Sequence, residues 1–133
     1  MDTNLADRLR RVANRQTLVL THQGRKTAKA YHVTIWFLVE GDRLFLATAD
    51  RRRNWVRNVL VNPKVSLEVG GESFDGTVHQ LTATSEREHV FRLVQGKYWW
   101  AVPLIVTGRV LQAMGLMADH SGAFEVKLNS AVQ

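Results

Sequence analysis

Hydrophobic positions along this chain switch repeatedly between a helical repeat and strand alternation. Leu5, Leu9 and Val12 recur at helical spacing among Arg8, Arg10, Arg11 and Arg15, which predicts an N-terminal amphipathic helix within residues 1–16. From Thr17 the pattern becomes β-rich. Leu18–His22 is a short strand, stopped by the polar turn Gln23-Gly24-Arg25-Lys26-Thr27. Residues 30–40 (AYHVTIWFLVE) and 43–48 (RLFLAT) are β-branched and aromatic runs separated by Gly41-Asp42, the pattern of a hairpin. Trp55, Val56, Val59 and Leu60 share one helical face, and Asn62-Pro63 ends that helix. Residues 64–70 and 72–83 alternate around Gly70-Gly71 as a second hairpin. Ser85 is placed to cap a helix running to about Lys97, residues 102–117 read as a further, very apolar helix, and residues 123–128 alternate as a last strand. The order predicts a mostly β, α+β fold: a small antiparallel barrel of five to six strands with flanking helices.

At 133 residues, with 45% hydrophobic and 23% charged positions, the chain fits one domain spanning 1–133. It contains no cysteine, which excludes disulfides, thiolate metal sites and a cysteine nucleophile. Residues 1–64 carry 13 basic and 5 acidic side chains, whereas residues 65–133 carry 5 and 7. This asymmetry asks for an anionic partner: nucleic acid, an acidic membrane surface or a phosphate-bearing small molecule. The first 16 residues lack the apolar segment of a secretory signal, so a cytoplasmic location is expected. The apolar stretch 98–118 is broken by Pro103, Gly108, Arg109, Gln112 and Gly115, which argues against a spanning helix.

Three segments are candidates for chemistry. Gly24-Arg25-Lys26-Thr27-Ala28-Lys29 combines a glycine, a hydroxyl and three cations in a turn between strands, the makings of a phosphate cradle, although the spacing is not that of a nucleotide-binding P-loop. A second basic group, Arg51, Arg52, Arg53 and Arg57, surrounds the start of the short helix, where unpaired N–H groups also attract anions. If both lie at one end of the barrel they form a single polyanion site; otherwise they are solvated surface. Lys97-Tyr98-Trp99-Trp100 and the apolar residues that follow are open to three readings: core, the wall of a pocket for a flat molecule, or peripheral membrane contact through 99–118. The five histidines show no metal-binding spacing, and no hydrolytic triad or paired carboxylates stand out, so neither a metal site nor a catalytic residue is assigned.

The succession Thr21-x-x-Gly24-Arg25-Lys26-Thr27-x-Lys29, Val33-Thr34-Ile35-Trp36-Phe37, Gly41-Asp42-Arg43-Leu44-Phe45 and Trp55-Val56-Arg57-Asn58-x-x-x-Asn62-Pro63-Lys64-Val65 resembles the deazaflavin-dependent nitroreductase and quinone reductase family over about residues 17–97. These are split β-barrels related to the flavin-binding pyridoxamine-phosphate-oxidase-like proteins. The resemblance implies coenzyme F420, a deazaflavin whose tail carries a phosphate and several glutamates. It implies that Arg25, Lys26, Thr27 and Lys29 hold the phosphate or acidic tail, and that Thr48, Ala49 and Asp50 run beside the ring. Trp55 is implied to pack near the cofactor and Asn58 to reach its phosphate region. Tyr98 corresponds loosely to aromatic residues on the substrate side. The family's Gly-Lys-Pro-Arg continuation is replaced by Ala28-Lys29-Ala30-Tyr31, and its Gly-rich loop by Arg51, Arg52 and Arg53. Arg51, Arg52 and Arg53 then either stand in for the missing arginine, or the site takes FMN, whose single phosphate needs fewer cations.

The function expected on these grounds is hydride transfer between F420 and a flat apolar acceptor (a quinone, enone or nitroaromatic) lying near Trp36, Tyr98 and Trp99. The alternatives are an FMN-binding reductase and a non-enzymatic flavin carrier or nucleic-acid-binding barrel. Nucleic acid is the weaker partner, because the cations are not interleaved with aromatics in a known motif. Pairing of two chains is expected by analogy with other small barrels.

Overall fold

The computed structural model describes residues 3–48, 51–98 and 122–129. The elements run α1 (Thr3–Val12), β1 (Thr17–Gln23), β2 (Ala30–Glu40), β3 (Arg43–Thr48), α2 (Asn54–Val61), β4 (Lys64–Val69), β5 (Glu72–Leu81), α3 (Thr84–Lys97) and β6 (Gly122–Leu128). All strand pairs are antiparallel, and the sheet closes on itself in the order β1-β2-β3-β6-β5-β4. The barrel therefore uses all six predicted β segments. The expected helix over 102–117 and the membrane contact through 99–118 lie outside the described residues.

Strand alternation sorts the side chains into two cores. Leu18 and Leu20 of β1, Phe37 of β2, Leu44 and Leu46 of β3, Val65, Leu67 and Val69 of β4, Phe74 and Val78 of β5, and Phe124 and Val126 of β6 fill the barrel. Leu5, Leu9 and Val12 of α1 join this cluster, as do Trp55, Val56 and Val59 of α2. The two short helices close the barrel toward opposite ends: Arg8 of α1 binds Glu72 and the Ser73 carbonyl beside the β4–β5 turn, whereas α2 meets the β1–β2 turn through Asn58 and Asn62. The opposite-facing residues Leu38, Phe45, Leu81 and Ala123 form a second core with Val90 and Tyr98 under α3.

Glycines set the tight turns. Gly70 and Gly71 both have positive φ, +55° and +86°, as a two-residue hairpin turn of the primed type requires, and Val69 pairs with Glu72 across it. At Gly76 the need is close approach, since a Cβ there would lie 2.7 Å from Val126 Cγ1 and 2.8 Å from the Lys127 carbonyl. One expectation is corrected at α3. Its cap position is Ala83, which offers no side-chain hydrogen bond, and Ser85 lies inside the first turn, because the helix begins at Thr84. Among the described residues no helix is long and apolar enough to cross a membrane.

Candidate functional site

The two basic segments do meet. A cleft of about 710 Å³ opens between the β1–β2 turn and the start of α2, lined by His22, Gly24, Arg25, Lys26, Thr27, Tyr31, His32, Val33, Arg53, Asn54, Trp55 and Asn58. Three of these are cations and none is a carboxylate. Helix α2 points its first turn at this space without help from a side chain: its cap residue is Arg53, in extended conformation, with no side-chain cap hydrogen bond. An uncapped N-terminus beside Arg25, Lys26 and Arg53 is a field for an anion.

The turn that carries Arg25 and Lys26 is held in shape from below. Its ends are joined by the Gly24 N–H donating to the Lys29 carbonyl at 2.9 Å, and Asn62 Nδ2 donates to the Gly24 carbonyl at 3.1 Å. Asn58, 4% exposed, accepts at Oδ1 from the Arg25 N–H at 3.1 Å and from Arg25 Nη1 at 2.8 Å. Its Nδ2 lies 3.1 Å from His22 Nδ1. An amide nitrogen only donates, so His22 must present an unprotonated Nδ1 and carry its proton on Nε2. Burial, with a smaller contribution from the neighbouring His32, lowers the His22 pKa below its usual value and favours this neutral form. Both side-chain atoms of Asn58 are thus committed to His22 and Arg25.

Strand register explains why His22 and Tyr31 belong here. Leu18, Leu20 and His22 are the buried positions of β1, and His22 pairs with Tyr31 of β2. At the end of the barrel the inward face turns from core into cleft, and the His22 and Tyr31 rings stack at 5.8 Å. Trp55 is 4% exposed and meets Phe124 edge-on at 5.7 Å, so it joins the cleft wall to the barrel core.

The remaining expected site residues are distributed otherwise. Thr27 lines the cleft, while Lys29 stands beside it with Nζ 5.6 Å from the Tyr31 ring. Of the arginine run, Arg53 lines the cleft and Arg51 and Arg52 do not; Arg51 packs over Gly122 at the start of β6. Thr48 is buried at the end of β3, paired with Gly122, and is not part of the cleft wall. Trp36 and Tyr98 do come together, stacked at 3.9 Å and within 3° of parallel, but in the second core rather than in the cleft. The Tyr98 hydroxyl donates to the Gln16 carbonyl at 2.5 Å, and burial raises its pKa. Next to it Lys97 Nζ donates to the Phe37 carbonyl at 2.9 Å over the Phe37 ring, and burial pulls its pKa down to about 8. Ala49, Asp50 and Trp99 lie outside the described residues.

His22, Tyr31, His32 and Asn54 are cleft residues that the sequence does not single out, whereas Arg53 belongs to the basic group expected there. For His22 and Tyr31 the signal was present: they continue the inward alternation of β1 and β2 beyond the last core residue. Which of the three consecutive arginines lines the cleft is decided by the first turn of α2, whose cap is Arg53.

Comparison with known proteins places the chain in a family and its barrel among known folds. Residues 2–109 match the family described as F420H(2)-dependent quinone reductase. Among solved structures, an F420-H2 dependent reductase superposes with a TM-score of 0.65 at 21% identity, covering 85% of this chain and 95% of its own. A candidate pyridoxamine 5′-phosphate oxidase from Listeria innocua gives 0.69 at 14% identity over 95% and 94%. A protein described as a domain-swapped dimer gives 0.66 at 23% identity over 85% and 81%. These structural likenesses establish the split-barrel fold, and the family match covers most of the sequence. The chain belongs to the F420H(2)-dependent quinone reductase family and is an oxidoreductase that uses coenzyme F420.

Proposed function

We propose that the cleft between the β1–β2 turn and α2 binds the anionic tail of F420, and that the acceptor is a flat, apolar, electron-poor molecule of the quinone type. The observation that carries the reading is the donor set: Arg25, Lys26 and Arg53 around an uncapped helix start, with no acidic side chain among the lining residues. A phosphate or glutamate carboxylate fits these groups, each charge-assisted hydrogen bond contributing roughly 1.5–3 kcal/mol. Lys26 and Arg53 hold the tail as point charges and guanidinium fork, Thr27 supplies a hydroxyl, and Trp55 gives the cleft an apolar wall. Asn58 acts one step back, fixing Arg25 and the turn. Arg51, Arg52 and Lys29 add to the potential around the mouth without lining it. When bound, F420 supplies a two-electron hydride donor or acceptor. The chain's own contribution is to bind and orient it.

The quinone-type acceptor is supported by membership of the F420H(2)-dependent quinone reductase family. Pairing of two chains is supported by the structural neighbour described as a domain-swapped dimer. The test is oxidation of reduced F420 followed optically with menadione, an enone and a nitroaromatic, alongside a parallel titration with FMN. The reading expects turnover with menadione and F420 binding at least tenfold tighter than FMN. Turnover confined to the enone or nitroaromatic would remove the quinone assignment, and tighter FMN binding would remove the tail-binding cleft.

A further inference from the structure

Helix α2 has a second face. Its buried side consists of Trp55, Val56, Asn58 and Val59. At 100° per residue, Arg53, Arg57, Leu60 and Val61 fall within an arc of about 100° on the opposite side. Leu60 is 51% and Val61 58% exposed, the largest exposures of any large hydrophobic residue among those described. Tyr31, at 41%, is the third such residue and lies on the cleft wall at the same end of the barrel. Charge on the two segments that carry the cleft and α2 is one-sided. Residues 23–30 and 51–64 contain eight Lys and Arg and no Asp or Glu, and Asp75, held by the Ser66 hydroxyl, is the acidic side chain beside Lys64.

We infer that this end of the barrel is a docking surface for an anionic lipid bilayer, with Leu60 and Val61 entering the headgroup boundary and Arg57, with the other cations outside the cleft, meeting lipid phosphates. Charge decides among the possible occupants. A second copy presenting the same face would bring two strongly basic surfaces together without a counter-charge. A nucleic acid would satisfy the cations but leave two aliphatic side chains against phosphate and water, whereas base stacking calls for exposed aromatics. An anionic bilayer answers both halves of the surface: apolar residues enter the acyl boundary and each basic side chain near the surface adds attraction. The contact proposed is peripheral, made by side chains of α2; among the described residues no helix is long and apolar enough to cross. It does not depend on which acceptor the enzyme reduces.

The chain has no cysteine, so single cysteines introduced into the full-length protein report from one place each. An environment-sensitive dye on Val61→Cys is compared with the same dye on Ser73→Cys, an exposed position beside the β4–β5 turn near α1. Vesicles of pure phosphatidylcholine and of phosphatidylcholine with three parts in ten phosphatidylglycerol are the probes. The inference expects at least tenfold stronger partitioning to the anionic vesicles and a blue shift at position 61 alone. Arg57→Glu and the Leu60→Ser/Val61→Ser pair should each reduce partitioning at least tenfold. The serine pair should leave F420 affinity within twofold, since neither residue lines the cleft. Equal partitioning to both vesicles overturns the inference, as does binding without a dye shift at 61. Tighter binding to an oligonucleotide than to anionic vesicles would reassign the face to nucleic acid. Loss of self-association, with vesicle binding intact, in the serine pair would reassign it to a second copy.

Discussion

Asn58 joins the two walls of the cleft, accepting from Arg25 through Oδ1 and facing His22 Nδ1 through Nδ2. The Trp-x-x-Asn spacing marks it as a candidate site residue, and the resemblance implies that it reaches the cofactor's phosphate region; the structure shows both its polar side-chain atoms engaged by His22 and Arg25. A spacing rule identifies which face of a helix a residue occupies, and β1 was needed to show what lies opposite. His22 carries a consequence for pH. Its folded-state pKa is lowered, so between that value and the ordinary value near 6.5 the unfolded chain binds more protons. Stability therefore rises with pH across this window, and the stabilisation is lost as pH falls through it. In His22→Gln the amide oxygen can still accept from Asn58 while nothing titrates. Thermal melts between about pH 5 and 7 should show a smaller rise in Tm for this variant than for the parent. An equal slope in both would mean that His22 is not the titrating group.

At the scale of elements, the strands were the most legible part, because alternation and paired glycines fix both period and turn. β4 is the clearest case, buried at every second residue from Val65 to Val69. The cap of α3 was misread, since a serine near a helix start carries no information about which residue leaves the helical conformation. The separation of Trp36 and Tyr98 from the cleft was also hidden. Trp36 is adjacent to the inward-facing Phe37 and so takes the outer face under α3, a fact of register rather than of composition. Two glycines of the β5–β6 region distinguish backbone crowding from side-chain crowding. A Cβ at Gly76 would meet strand backbone and Val126, whereas at Gly122 it would meet Cγ and Cδ of Arg51, side-chain atoms that shift by a rotamer change rather than by moving a strand. Gly76→Ala is expected to cost roughly 1–3 kcal/mol in denaturant unfolding and Gly122→Ala less. Comparable losses at both positions would contradict the packing described for β6.

For the whole molecule, charge placement links sequence to function. The excess of basic residues in the first 64 positions is visible in a count, yet the count cannot say whether two distant segments share a site. Barrel closure answers that: antiparallel pairing of β1 with β2 and β4 puts the β1–β2 turn beside α2, and Asn58 and Asn62 tie them together. One end of the barrel thus holds a cofactor cleft facing inward and a basic, partly apolar helix face looking out. The central claim is that the cations of the cleft read the anionic tail. Its most direct measurement is a pair of fluorescence titrations, one with oxidised F420 and one with the same deazaflavin riboside lacking phosphate and glutamates, on the parent and on Lys26→Ala/Arg53→Ala. The account predicts that the parent binds F420 at least tenfold more tightly than the riboside and that the double variant loses most of this difference. Equal affinity of the parent for both compounds, or a preference for F420 undiminished in the double variant, would contradict it.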